Sequence, residues 1–167
     1  TVELAYALAE RMQREGEGVK HLSFSSCVPS YQIKRDLRNF ANIKSFEDCS
    51  SWTSQAVDGL ISDKRIETVI ISYYIASSLY GPHEDTYPHL ADERGYENRR
   101  AIWNSLLTLI ETLENAGKRT LFVLQAPELP RSIGYLIPRE NTSISNGVSV
   151  EWWNKRIEFV YENIIEL

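Results

Sequence analysis

Three short segments carry the residues best placed to do chemistry. They are Ser25-Ser26-Cys27, Ser72-Tyr73-Tyr74 and Gln125-Ala126-Pro127-Glu128. Each ends an apolar run that reads as a strand, and ligands of open parallel sheets bind beyond the carboxyl ends of the strands. Long loops follow all three, and long loops in compact domains are more often functional than short ones. The alternative is that the segments merely cover the end of the sheet. No complete catalytic set stands among them, and no G-x-S-x-G elbow, P-loop or G-x-G-x-x-G occurs.

The three histidines do not supply one. His21 sits inside an apolar run and reads as structural. His83 and His89 lie in a proline-containing loop beside Glu84, Asp85 and Asp92. Two histidines and several carboxylates can ligate a metal, but this spacing matches no compact zinc signature. A solvated polar loop is the favoured reading, and no metal or other cofactor is expected. Tyr31, Tyr80, Tyr87, Tyr96 and Tyr135 are scattered through the predicted loops. Rings lining a carbohydrate groove and partly buried loop anchors both look like this, with anchors preferred.

The chain has two cysteines, Cys27 and Cys49, and no C-x-x-C. Two cysteines cannot make a four-ligand zinc site by themselves. A bridge between them would pin the long polar loop that holds Lys34, Arg35 and Arg38, contributing about 3 kcal/mol by loop closure. Two buried reduced thiols in a cytosolic protein are the competing reading.

The elements that must position these segments alternate. Val2, Leu4, Ala5, Leu8, Ala9 and Met12 recur at helical spacing, and Gly16 and Gly18 end that helix. Val19 to Phe24 reads as a first strand. Ser45 is the expected cap of the next helix, with Asp48 three residues on, and Trp52, Ala56, Val57, Leu60 and Ile61 as its buried stripe. Glu67 to Tyr74 is the clearest strand, its run Val69–Ile71 suiting a strand covered on both faces. From Leu79 to Arg94 the chain reads as loop, because Gly81, Pro82 and Pro88 forbid a regular helix. A long helix over Glu97–Asn115 presents Ile102, Leu106, Leu109, Ile110 and Leu113, and Gly117 stops it. A third strand spans Thr120–Gln125. A last helix starts near Ser149, with Trp153, Ile157, Val160, Tyr161 and Ile164 as its core side.

Strand–helix alternation of this kind predicts an α/β fold, a flavodoxin-like three-layer α/β/α sandwich with a mostly parallel sheet. The 167 residues are the size of one domain, 1–167, and 43% hydrophobic with 25% charged excludes disorder and a cysteine-rich miniprotein. A net charge of −5 argues against a nucleic-acid partner. No apolar run approaches the ~20 residues that cross a bilayer. The start at Thr1, the lone Met12 and the immediate helical pattern look like a piece cut from something longer.

The pattern as a whole resembles the SGNH domain, a GDSL-hydrolase-like module at the carboxyl end of bacterial acyltransferase-3-type membrane acyltransferases. The resemblance rests on ALAERMQREG, SSCVPS followed by FEDCSSW, ETVIISYY, and LLTLIETLENAGKRTLFVLQAPELP with its "aGk" turn and Pro-Glu-x-Pro segment. It covers essentially the whole chain. It implies the SGNH hydrolase fold with the first and last elements missing, so that the domain is truncated at both ends. The family's nucleophilic serine ends a strand in Gly-Asp-Ser-His, placing it just before Thr1. Its Asp-x-x-His motif falls after Leu167. No catalytic residue is therefore expected within the chain.

What the resemblance leaves here is the middle of the site. Ser25 and Ser26 correspond to an oxyanion-side loop, and Ser72 and Tyr74 stand where the family has an Asn, or in the membrane subgroup an Arg-Trp pair. Neither pattern is matched. The implied chemistry is acyl transfer through an acyl-serine, commonly of acetyl, between an acyl donor and an envelope carbohydrate such as lipopolysaccharide O-antigen or peptidoglycan. The implied partner is an N-terminal transmembrane acyltransferase domain in the parent protein, and the implied location is the periplasmic face of the inner membrane, with a secreted or cytoplasmic location as alternatives. In the periplasm a Cys27–Cys49 disulfide is favoured. A non-catalytic carbohydrate-binding or accessory module is the alternative function. A cytosolic flavodoxin-like regulator would need an acidic cluster at a strand end, which the sequence does not show.

Overall fold

The computed structural model describes residues 2–33, 43–82, 87–90, 92, 94–130 and 147–166. Helix α1 covers Val2–Gln13 and α2 Ile43–Ser62, followed by strand β1, Thr68–Ser72. Short α3 spans Ile75–Tyr80, α4 Tyr96–Asn115, β2 Arg119–Val123 and α5 Val150–Asn163, with a 3-10 turn at Ile164–Glu166. The two strands pair in parallel, Thr68 beside Arg119 through to Ser72 beside Val123.

Helix α4 shows how sequence sets an element and its end. Ile102, Trp103, Leu106, Ile110 and Leu113 recur on one side and are buried. Gly117 then takes φ 80, a left-handed conformation that costs a β-carbon dearly. Gly117 N–H donates to Glu114 O at 2.8 Å and Lys118 N–H to Leu113 O at 3.0 Å, the paired bonds of a Schellman cap. The Lys118 side chain is buried, and its Nζ donates to Asp63 O at 2.9 Å and Ile66 O at 2.7 Å. The Ala-Gly-Lys turn thus ends α4, starts β2 and fastens the chain entering β1.

Side chains alternate across the strands. Ile71 is buried and Val69 and Phe122 pack on the core, where Trp103 meets Phe122 edge-on at 6.5 Å between centroids. On the other face Ile70 is 41% and Leu121 48% exposed. The expectation of a strand covered on both faces is therefore corrected. Among the described residues the helices α2, α3, α4 and α5 build one core on one side of the sheet, and α1 buries no residue. The described part is α/β with a small parallel sheet, and the third layer of the sandwich is not present in it.

Four further expectations change. Val19 to Phe24 forms no strand: Val19, Leu22 and Phe24 are about two-fifths exposed, and Phe24 rests on Trp52 at 5.6 Å. A strand needs a hydrogen-bonded neighbour, and the described sheet contains only β1 and β2. Helix α2 begins at Ile43, so neither Ser45 nor Asp48 is at a capping position. No proline or glycine between Ile43 and Asp58 stops it from starting earlier. Leu79 and Tyr80, expected at the start of the loop, instead end a helix over Ile75–Tyr80, in which Ile75, Ala76 and Leu79 share a buried side before Gly81 ends the turn. Tyr161 is 51% exposed, while Trp152, Arg156 and Phe159 join the buried side of α5. That helix starts as expected, Ser149 capping it through its Oγ, which accepts from Trp152 N–H at 3.1 Å.

Candidate functional site

The parallel register brings Ser72 beside Val123, so the chain leaves both strands at the same end. After β1 it runs through Tyr73 and Tyr74 into α3. After β2 it runs through Leu124 to Pro130. Gln125 spans the two exits: its Oε1 accepts from Ala76 N–H at 2.7 Å. That amide belongs to the first turn of α3, where backbone donors have no helical partner. The carboxamide orientation is fixed by this bond, since only its oxygen can accept. The Gln125 Nε2 is buried and has no hydrogen-bond partner among the described residues.

Glu128 follows on the same segment and serves a different purpose. Its Oε2 accepts from Arg156 Nε at 2.8 Å, and both side chains are fully buried. Arg156 Nη2 also donates to Gly81 O at 2.6 Å, and its guanidinium lies over the rings of Tyr80 and Trp152. One cation thereby joins the segment after β2, the end of α3 and α5. The third segment singled out in the sequence is thus half a buried structural ion pair.

The first segment is fastened to α2. Cys27 and Cys49 form a disulfide with Cα atoms 5.6 Å apart, inside the usual range. With both cysteines oxidised, the Ser30 hydroxyl is the donor in its 3.2 Å contact with Cys49 Sγ. Ser50 Oγ donates to Ser30 O at 3.0 Å, and Ser105 Oγ of α4 donates to Tyr31 O at 2.9 Å. Ser25 and Ser26 form an exposed turn just before the bridge, Ser26 with φ 58.

The second segment is fastened to the same helix. Thr53 of α2 donates to Cys49 O at 2.8 Å and also bonds the Tyr73 hydroxyl. Burial pushes the Tyr73 phenol up to about 12. Ser72 is half-buried and Tyr74 is 53% exposed. Ser25–Cys27 and Ser72–Tyr74 are therefore tied to neighbouring positions of α2, through Cys49 and Thr53.

The loop aromatics behave as anchors. Tyr31 is buried, Tyr87 packs edge-on against Trp152 at 5.4 Å, and Arg99 lies 4.8 Å over the Tyr80 ring. Tyr96 is exposed but sets its ring edge-on to Phe159 at 6.2 Å. Arg99 also pairs with Asp92. Burial works to raise the Asp92 carboxyl, yet the bonds from Arg99 and from Gly95 N–H hold it below its ordinary value. His21 and His89 are exposed, whereas Tyr135, the basic cluster Lys34, Arg35 and Arg38, and His83, Glu84 and Asp85 lie outside the described residues. Among the described residues no three His, Cys, Asp or Glu side chains gather as a metal site.

Sequence reasoning missed Ser30, Thr53, Ser105 and Arg156. Only Arg156 carried a signal: a charge set among Trp152, Trp153, Ile157 and Val160 must find a partner when that side is buried. The small hydroxyl residues gave none, since their roles depend on which carbonyl lies opposite.

Comparison with known families gives one match. The model described as "SGNH domain (fused to AT3 domains)" covers residues 2–166. No curated protein and no solved structure matches the chain. Among the described residues no helix is long and apolar enough to cross a membrane.

Proposed function

The chain belongs to the family of SGNH domains fused to AT3 domains, and from that membership we propose that it is the acyl-handling domain of a membrane O-acyltransferase. Membership supports an acyltransferase- or esterase-like role, the SGNH hydrolase fold, and a membrane-associated parent carrying an acyltransferase domain. The finer reading is that the domain moves an acyl group, acetyl in the simplest case, onto or off a cell-envelope carbohydrate through an acyl-serine. The serine, its general base and the orienting carboxylate come from outside residues 1–167. Residues Ser25, Ser26, Ser72 and Tyr74 line the acyl site.

The family match along residues 2–166 carries this reading. The two adjacent strand exits, held by Cys49, Thr53 and Gln125, support it by giving the reaction a fixed floor. The Cys27–Cys49 disulfide supports an oxidising compartment, and so the periplasmic side.

The direct test uses the full-length protein and a p-nitrophenyl acetyl ester. Release of p-nitrophenol that disappears when the serine of its Gly-Asp-Ser-His motif becomes alanine is the expected result. Transfer of labelled acetyl to purified envelope glycan then separates transferase from esterase. A protein lacking both activities would be a carbohydrate-binding or accessory module. The absence of an asparagine from Ser72-Tyr73-Tyr74 favours that second reading.

A further inference from the structure

Gln125 carries the one carboxamide among segments 25–27, 72–74 and 125–128, of which only the last two follow a strand. Its Oε1 is committed to Ala76 N–H at 2.7 Å, which leaves Nε2 with two donor hydrogens. That nitrogen is buried and meets no acceptor among the described residues. A buried donor without a partner costs about 1–3 kcal/mol, so a carboxamide used only as a clamp is a poor choice for this position. Leu124, Ala126 and Pro127 on either side are exposed or half-buried and Gln125 itself is half-buried, so the surface lies within one side-chain length of the donor. The place is the carboxyl end of a parallel strand pair, where ligands of such sheets bind.

We infer that Gln125 is a catalytic residue of the acyl site, its Nε2 donating to the acyl carbonyl oxygen while the Oε1–Ala76 bond aims it. This rests on the acyl-transfer reading above. As the serine oxygen adds to the carbonyl carbon, the C=O π pair moves onto oxygen and the serine proton passes to the general base. The Nε2–H bond strengthens as that oxygen gains charge. On collapse the pair returns and the leaving group departs with the proton. A donor already oriented and shielded from water is what such an oxygen needs.

The test is made in the full-length protein with p-nitrophenyl acetate. Gln125→Glu keeps an acceptor for Ala76 N–H and replaces the donor with a carboxylate. Gln125→Ala removes both. Gln125→Glu is expected to lower kcat by about 100- to 1,000-fold, the usual loss for one oxyanion donor, with KM within about twofold. Its deficit relative to wild type should narrow as pH falls, because the introduced carboxyl regains an O–H donor once it is protonated. A structural clamp would instead lose kcat and melting temperature together in both variants. Wild-type kcat in Gln125→Glu overturns the inference, as does a pH-independent loss matched by Gln125→Ala and accompanied by a lower melting temperature. A wild-type protein with no acyl turnover overturns the functional reading itself, and the inference falls with it.

Discussion

Replacing Glu128 by Gln tests whether the buried ion pair holds the segment after β2 in place. The substitution keeps shape but removes the Glu128 carboxylate from the Arg156 guanidinium in a site where both side chains are fully buried. Breaking a buried pair from one side costs about 3–5 kcal/mol, because the remaining charge stays desolvated. For a domain of this size each kcal/mol lowers the melting temperature by about 2–4 °C, so a drop of about 6–20 °C is expected. Thermal unfolding followed by circular dichroism reads it. Arg156→Met should cost at least as much, since it also removes the donor to Gly81 O and the contacts with Tyr80 and Trp152. The double variant Glu128→Leu/Arg156→Met should be far less destabilised than the sum of the single replacements Glu128→Leu and Arg156→Met, because apolar groups of similar volume can replace a buried pair at little cost. A Glu128→Gln melting temperature within about 2 °C of the parent, or strict additivity in the cycle, would refute the reasoning.

Three other outcomes are expected. Intact mass without reductant should be two hydrogens below the reduced value, and reduction should lower stability by about 3 kcal/mol; two free thiols in periplasmically expressed protein would contradict the bridge. The Tyr73 phenol is raised from 10.0 to about 12 in the folded state, so folding favours its neutral form. The resulting stability is complete below pH 10 and lost as pH rises through about 12. At about 1.4 kcal/mol per unit this amounts to about 2–3 kcal/mol, read as the difference between wild-type and Tyr73→Phe urea midpoints from about pH 9 to 12. Parallel curves for the two proteins would count against it. Gly117→Ala meets nothing within 4 Å but must adopt φ 80, so it should cost about 1–2 kcal/mol through backbone strain alone, measured by chemical denaturation; an unchanged midpoint would show that the cap relaxes.

Long periodic helices and their stops were legible in the chain because they depend on local pattern. Helix α4 with Gly117, and α5 with its Ser149 cap, follow from residues within a few positions of one another. Val19–Phe24 failed for the opposite reason. Its strand-like composition needs a partner elsewhere in the sheet, and apolar content alone does not provide a ladder. Ile75–Tyr80 was hidden by length: six residues before Gly81 give too few turns for periodicity to register. The candidate site divides in the same way. The strands β1 and β2 were legible but end at Ser72 and Val123, two residues before the expected Tyr74 and Gln125, and the disulfide was favoured once the family likeness supplied an oxidising compartment. The ties that fix the strand exits were invisible, since Thr53 and Gln125 act on them through groups 20 and 49 positions away.

Those ties explain how so small a sheet can define a site at all. Five residues in each of two parallel strands make a ladder that is marginal by itself. Side chains flanking β2 hold β1 at both ends. Lys118, immediately before β2, binds the carbonyls of Asp63 and Ile66 on the way into β1. Gln125, two positions after β2, binds the amide of Ala76 on the way out. The entry contact uses a buried ammonium whose loss would leave two carbonyls short of a donor, so it acts on stability. The exit contact uses a neutral amide that still holds a donor in reserve. A side chain retained only to lock the strand would spend that donor on the protein. The asymmetry between Lys118 and Gln125 therefore separates an end of the sheet whose side chain is used within the protein from one that keeps an unused donor among the described residues, the donor on which the inferred acyl contact rests.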